Sequence, residues 1–218
     1  MKPSGKPLRL QGGAATSRSD RKKVWLVTEN SHKLREARAV LSNHNISLGQ
    51  IRLPKVEIQS QDLEEIALFA ARSLAEKVDR PIIVEDSGLF ISALNGFPGP
   101  YSSYVLQTLG LDGILRLVER ARGREAYFQS SIATHLEGSV FKTFSGRVNG
   151  VISRRKAGRR GFGYDPIFAL RLDSKTFGQM PESEKNRYSH RAFALRKFAK
   201  WFLCNDHSIG PGRSPAEP

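Results

Sequence analysis

Residues 24–44 read VWLVTENSHKLREARAVLSNH. Val24 to Thr28 is a short run of β-branched and large apolar side chains, the composition of a buried strand. The polar ENSHK follows, and LREARAVLSNH then places Leu34, Ala37, Val40 and Leu41 at helical spacing. The unit is strand, polar turn, helix. Downstream, Ile46 to Leu53 forms a second strand region closed by Pro54, and KVEIQSQ is extended. DLEEIALFAARSLAEKV is an amphipathic helix starting near Asp62, and Ile82 to Val84 is again a buried strand. This β-α-β-α-β order predicts an α/β sheet whose polar turns gather at strand ends.

The third strand opens PIIVEDSGLFISALNGFPGPY, Pro81–Tyr101, and carries two adjacent carboxylates, Glu85 and Asp86, at its mouth. Ser87 and Gly88 are expected to turn the chain, and the Asn-Gly, Pro-Gly and Pro-Tyr pairs beyond them predict a shaped loop near the strand end. Two helical segments follow, Ser103 to Leu109 and Asp112 to Arg122, separated by Gly110. Ala126 to Leu136 and Val140 to Ile152 read as an antiparallel hairpin with Glu137-Gly138 as its turn. A basic, glycine-rich loop, RRKAGRRGFGYDPIF, runs into a strand at Pro166 to Leu170. The last helix begins near Ser189, and Phe193, Leu195, Phe198, Trp201 and Phe202 supply its apolar content.

A chain of 218 residues, 39% hydrophobic, can bury one good-sized core without staples. The one cysteine, Cys204, has no CxxC or His-rich company, so neither a disulfide framework nor a zinc site is supported, and a reducing cytoplasm fits. No apolar run reaches membrane-spanning length and the N-terminus lacks a secretory h-region, so a soluble, unexported protein is expected. The net charge is +14, but residues 1–23 hold seven Lys or Arg against Asp20 alone, which leaves +8 for the body. Residues 1–22 and 205–218 read as disordered tails around a single domain at 23–204.

Four constellations carry chemistry. Thr28, Asn30 and Lys33 in TENSHK stand where a helix start attracts anions, although Asn30 or Ser31 is equally suited to an ordinary N-cap. Glu57 in KVEIQ, with Glu85 and Asp86, makes three carboxylates of the kind that hold Mg²⁺ while leaving positions for water and phosphate; alone, Glu57 would be an exposed strand residue. In GFGYDP, Phe162 and Tyr164 flank Gly163, so a planar base could stack where the backbone approaches closely, and Asp165 adds an acceptor. Core packing is the competing role for these two aromatics. In EKNRYSHR, Lys185 precedes a helix that Ser189, His190 and Arg191 open. Basic residues in a first turn oppose the helix dipole, which argues for a ligand there. No GxSxG elbow is present, so covalent catalysis is not indicated.

Taken in order, T-x-N-x-x-K, EIQ, EDSGL, ALNGFPGPYS, GFGYDPIF and EKNRYSHR resemble the inosine triphosphate pyrophosphatase family over about Val24 to Trp201. The resemblance implies an elongated α/β body of two lobes around a long mixed β-sheet with helices packed on it, and an active-site cleft between the lobes. It also implies a homodimer. The implied activity is hydrolysis of ITP, dITP and XTP to the monophosphate and pyrophosphate with Mg²⁺, which cleanses the nucleotide pool. By the same resemblance Thr28, Asn30, Lys33 and Lys185 contact the substrate's phosphates, and Ser87 is a further substrate-binding position. Glu57, Asp86 and Glu85 match the metal positions, with Asp86 as the base. Phe162, Gly163, Tyr164 and Asp165 match the base pocket, and Ser189, His190 and Arg191 the motif that reads the purine edge. One position departs: many relatives carry a phosphate-binding lysine at the place of Ala70, and the nearest basic residue here is Arg72. Two other readings stand beside this one. One is a nucleic-acid-binding protein using the basic tail and the Arg154 to Arg160 run; the other is a related hydrolase of pyrimidine or modified nucleotides.

Overall fold

The computed structural model describes residues 22–136, 140–170 and 175–205. The expectations for the tails at 1–21 and 206–218, and for the 137–138 turn, lie outside the described residues. The first half builds the predicted parallel unit. Strand β1 (Lys23–Val27) pairs in parallel with β2 (Ser47–Ile51) and with β3 (Ile82–Ile91). Helix α1 (Ser31–Ser42) joins the final helix, α6 (His190–Cys204), on one face, where Leu34, Val40 and Leu41 pack with Leu195, Phe198, Val24 and Leu26. On the other face α2 (Leu63–Ala75) brings Ala67, Ala70, Ala71 and Leu74 against Val27, Ile82 and Val84. Strands covered on both faces need unbroken apolar runs, which is why VWLV and IIV lack alternation.

The second half is antiparallel. Strands β5 (Glu125–Leu136) and β6 (Val140–Ile152) form the predicted pair, and β5 lies along the whole of β3. Short β7 (Phe168–Leu170) adds to β6, so the mixed sheet runs β2-β1-β3-β5-β6-β7, with β4 (Pro98–Gly99) pairing β3 off that path. Helices α3 (Ser102–Thr108) and α4 (Gly110–Leu117) cover this half over a core of Leu89, Ile91, Ile114, Phe128, Phe168 and Phe177. A short helix not anticipated from sequence, α5 (Glu182–Tyr188), precedes α6. No helix among the described residues is long and apolar enough to cross a membrane.

One expectation is overturned. Ser87 and Gly88 do not turn the chain; β3 continues through them for ten residues, with Asp86 opposite Ser131, Ser87 opposite Ser130 and Gly88 opposite Gln129. The long partner strand β5 offers an unbroken ladder, and that outweighs the turn preference of a Ser-Gly pair. Gly88 serves closeness instead: a Cβ there would overlap the Gly99 carbonyl oxygen of β4. Gly88→Ala should therefore cost about 1 to 3 kcal/mol of stability in urea unfolding, and an unchanged midpoint would show that this approach is not needed.

Candidate active site

A cleft of about 570 Å³ opens beside β3 where β1 has ended. β1 pairs with β3 through Trp25 and Leu26, so Glu85 and Asp86 stand just past its last paired residues. The cleft is lined by the β1–α1 turn from Thr28 to Lys33, by Leu53 to Glu57, by Asp86 to Leu89, by the 162–165 turn, and by Lys185, His190 and Arg191.

The β1–α1 turn organises itself first. Thr28 Oγ1 accepts the Asn30 N–H at 3.1 Å, and Asn30 Oδ1 accepts the N–H groups of His32 and Lys33 at 2.9 and 3.1 Å. Asn30 is thus the N-cap of α1, and both side chains shape the cleft wall. Lys33 reaches across to Glu85 Oε2 at 2.8 Å.

The three carboxylates separate into two and one, because successive side chains on a strand point to opposite faces. Glu85 turns away from the cleft: its Oε1 accepts from Ser130 Oγ at 2.6 Å and from Arg191 Nε at 3.1 Å. Burial alone would raise its pKa, but Arg191, Lys33 and the Ser130 hydrogen bond outweigh that and hold it well below the usual carboxylate range. Glu85 is therefore a buried structural anion, which corrects its place among the metal-binding positions. Asp86 and Glu57 both line the cleft. Burial pushes Asp86 up to about 6, with Glu85 and Glu57 adding to the rise against Lys33 and Lys55. Glu57 is also penalised by burial, but its Lys55 partner at 2.9 Å brings it below its ordinary value. No cluster of three or more His, Cys, Asp or Glu is placed to hold a metal among the described residues. Two carboxylates lining one cleft, one of them raising the other's proton affinity, do fit a hard cation such as Mg²⁺, which takes one or two protein oxygens and leaves the rest to water and phosphate.

The 161–165 turn presents Phe162 to the cleft and packs Tyr164 into the core. Gly161 has φ 73°, and a Cβ there would overlap the Asp165 carboxylate, which accepts the Phe162 N–H at 2.8 Å. Phe162 is half-buried and stacks on His32, with ring centroids 5.0 Å apart. Tyr164 sits in the core, its hydroxyl donating to the Ser102 carbonyl at 2.7 Å, so of the two expected stacking aromatics only Phe162 keeps a free role toward a base. Gly163 lines the cleft beside them. His190 is buried, stacks on Phe128 at 4.6 Å, and leaves Nδ1 without a partner. Burial, reinforced by the Arg191 charge, drives its pKa well below the ordinary value, so the ring is neutral.

Beneath the cleft lies a buried ionic chain that sequence reasoning missed. Glu36 Oε1 meets Lys185 Nζ at 2.7 Å and its Oε2 meets Arg191 at 2.5 Å. Lys185 also holds Asp165 at 2.6 Å, and Arg191 also holds Glu85 and donates to Ser87 Oγ at 3.2 Å. The basic first turn of α6 is thus compensated by carboxylates of this chain, which replaces the expectation that it signals a ligand. Ser189 likewise is the N-cap of α6, its Oγ accepting the Ala192 N–H, and it does not line the cleft. A signal for Glu36 existed: with Leu34, Ala37, Val40 and Leu41 it belongs to the inward stripe of α1, where a charged residue needs partners. Ala70 is buried against the sheet, and the Arg72 guanidinium lies over the Phe141 ring at 5.8 Å. Since α2 contributes nothing to the cleft, Arg72 does not supply the missing cation.

The fold and cleft define a mixed-sheet α/β protein whose cleft is lined by carboxylates, lysines, aromatic rings and a neutral histidine. Comparison gives this class a family. The Ham1 family model matches residues 24–201, and the chain belongs to that family. It is 44% identical over 190 residues to the dITP/XTP pyrophosphatase of Hyperthermus butylicus, covering 87% of this chain and 97% of that one. The dITP/XTP pyrophosphatase of Saccharolobus solfataricus is 48% identical over 179 residues, 82% of this chain and 93% of the other. The solved HAM1 protein of Coxiella burnetii superimposes with a TM-score of 0.74 at 30% identity, covering 84% of this chain and all of that one.

Proposed function

We propose that this protein is a nucleoside triphosphate pyrophosphatase that hydrolyses noncanonical purine nucleotides, ITP, dITP and XTP, to the monophosphate and pyrophosphate. The observation that carries the reading is one cleft lined by Asp86, Glu57, Lys33 and Lys55 together with Phe162 and His190, in a chain whose relatives are named dITP/XTP pyrophosphatases. The phosphates lie toward Lys33 and Asp86, and the base lies toward Phe162. Glu57 and Asp86 would hold Mg²⁺, which when bound supplies neutralising charge to the phosphate oxygens. Asp86 accepts a proton from a water as that water's oxygen attacks the α-phosphorus. The bond from the α-phosphorus to the α,β-bridging oxygen breaks, and pyrophosphate leaves with the electron pair. Lys33 offsets the charge that builds on the phosphate oxygens. Lys185 and Arg191, held by their carboxylates, keep the 161–165 turn and Ser87 in place. We also propose that the protein works in the cytoplasm as a homodimer.

Discrimination rests on His190. Its neutral ring lines the cleft and donates from a ring N–H to the 6-oxo group of hypoxanthine or xanthine, whereas adenine would present an amino donor to the same N–H. A buried donor left unpaired costs about 1 to 3 kcal/mol, so kcat/KM for ITP should exceed that for ATP by roughly 10- to 100-fold. Pyrophosphate release measured across ITP, XTP, dITP, ATP, GTP and dUTP, with and without Mg²⁺, tests both claims. Equal rates on ITP and ATP would overturn the base assignment, and preference for dUTP would favour a pyrimidine hydrolase. No release from any of them, together with tight, salt-sensitive DNA binding, would favour the nucleic-acid alternative.

A further inference from the structure

The cations lining the cleft are not equally available. Lys185 and Arg191 are each 3% exposed and locked between buried carboxylates. Lys33 is tied to Glu85, whose carboxylate is itself buried. Lys55, which the sequence motifs do not single out, differs. It lines the cleft, its side chain is 17% exposed, and its ammonium pairs at 2.9 Å with a Glu57 side chain that is 56% exposed. An ion pair with so exposed a partner contributes little, so the ammonium can leave it at low cost. Its charge already reaches both cleft carboxylates, Glu57 and Asp86.

We propose that Lys55 is a triphosphate-binding residue: its ammonium rests on Glu57 and moves to the nonbridging oxygens of the two outer phosphates when substrate enters. The inference rests on the reading of the cleft as a nucleoside triphosphate site and names a contact within it. A flexible stem with three donors suits such a move, because it follows a charge without a fixed geometry. The same residue releases Glu57 at the moment the phosphates arrive, so binding of the outer phosphates and freeing of a cleft carboxylate are one event.

The test is calorimetric binding in Mg²⁺ of a nonhydrolysable α,β-imido analogue of ITP, of pyrophosphate and of IMP. Wild type, Lys55→Met, Lys55→Arg and Arg72→Ala are compared, each with a thermal melt to confirm folding. Losing one charge-assisted contact should weaken the analogue and pyrophosphate by about 10- to 100-fold in Lys55→Met while IMP changes less than about 3-fold. Lys55→Arg should stay within about 3-fold of wild type for all three, since the charge is kept, and Arg72→Ala should be unaffected. Lys55→Met that binds the analogue like wild type, or that loses IMP as strongly as the analogue, would overturn the assignment. A wild type that binds analogue and pyrophosphate no better than Lys55→Met does would overturn it equally. Wild-type protein that binds none of the three would overturn the nucleotide reading itself, and Lys55 with it.

Discussion

Asp86→Asn is expected to abolish turnover and, at neutral pH, to make the protein more stable. On the proposed mechanism the catalytic loss follows from removing the group that accepts the proton of the attacking water; a positioned general base alone contributes about 10²- to 10⁴-fold, and the proposed cation ligand is lost as well. A fall in pyrophosphate release of about 10³-fold or more is the expected result. The stability gain follows from the same burial. The Asp86 carboxyl is raised from an ordinary 3.8 to about 6, so the folded protein holds this proton more tightly than the unfolded chain does. Below the unfolded value the group is neutral in both states and costs nothing. As pH climbs from about 4 through 6, the folded state must ionise a carboxyl it would rather keep protonated, and stability is lost. Asparagine never pays that cost. In chelator, to exclude cation binding, Asp86→Asn should be more stable than wild type by about 1 to 3 kcal/mol at pH 7, with the difference vanishing below about pH 4. Turnover within tenfold of wild type, or a variant less stable than wild type at pH 7, would remove Asp86 from its assigned role.

The second large effect concerns a residue that does not line the cleft. Glu36→Ala leaves Lys185 and Arg191 buried with one carboxylate fewer between them, and breaking a buried ion pair from one side typically costs about 3 to 5 kcal/mol. Urea unfolding should show a loss of that size. The damage should also reach the cleft. Lys185 loses one of the two anions that position it against Asp165, and Asp165 holds the Phe162 N–H, so KM for ITP should rise more than kcat falls. Glu36→Gln, which keeps shape and some hydrogen bonds, should fall between the two. A loss below about 1 kcal/mol for Glu36→Ala would mean the chain of buried charges is not cooperative.

The contrast between Asp86 and Glu36 shows where the sequence was legible. Asp86 could be picked out because it follows an apolar strand and falls in a motif. Glu85 beside it looked equivalent, since no local rule says which of two adjacent carboxylates faces the cleft; the ladder with β5 decides that, and Ser130 and Arg191 then claim the inner one. Tyr164 and Phe162 also divide: Tyr164 joins the core with its hydroxyl tied to the Ser102 carbonyl, while Phe162 stays half-buried and stacks on His32. Ser189 and Asn30 carry the residue types of both a cap and a ligand, and their hydrogen bonds show them to be caps. Lys55 opens KVEIQ but no local rule marks it; what sets it apart is the exposed partner, Glu57, that the fold leaves it.

Residues 24–44 already contained the strand, the turn and the helix, because periodicity and polarity are local properties that a short stretch can express. The parallel half of the sheet, the hairpin and the starts of α1, α2 and α6 all follow from such local signals. What a single stretch could not contain is the partnership of charges far apart in the chain. Glu36 meets Lys185 and Arg191, residues roughly 150 positions away, and β3 runs on through Ser-Gly because β5 lies beside it. Burial makes those partnerships obligatory, since an ion removed from water must find its counter-ion wherever the fold brings one. Tertiary structure therefore decided which charged residues of the family motifs remain available to a ligand and which are spent in holding the cleft together.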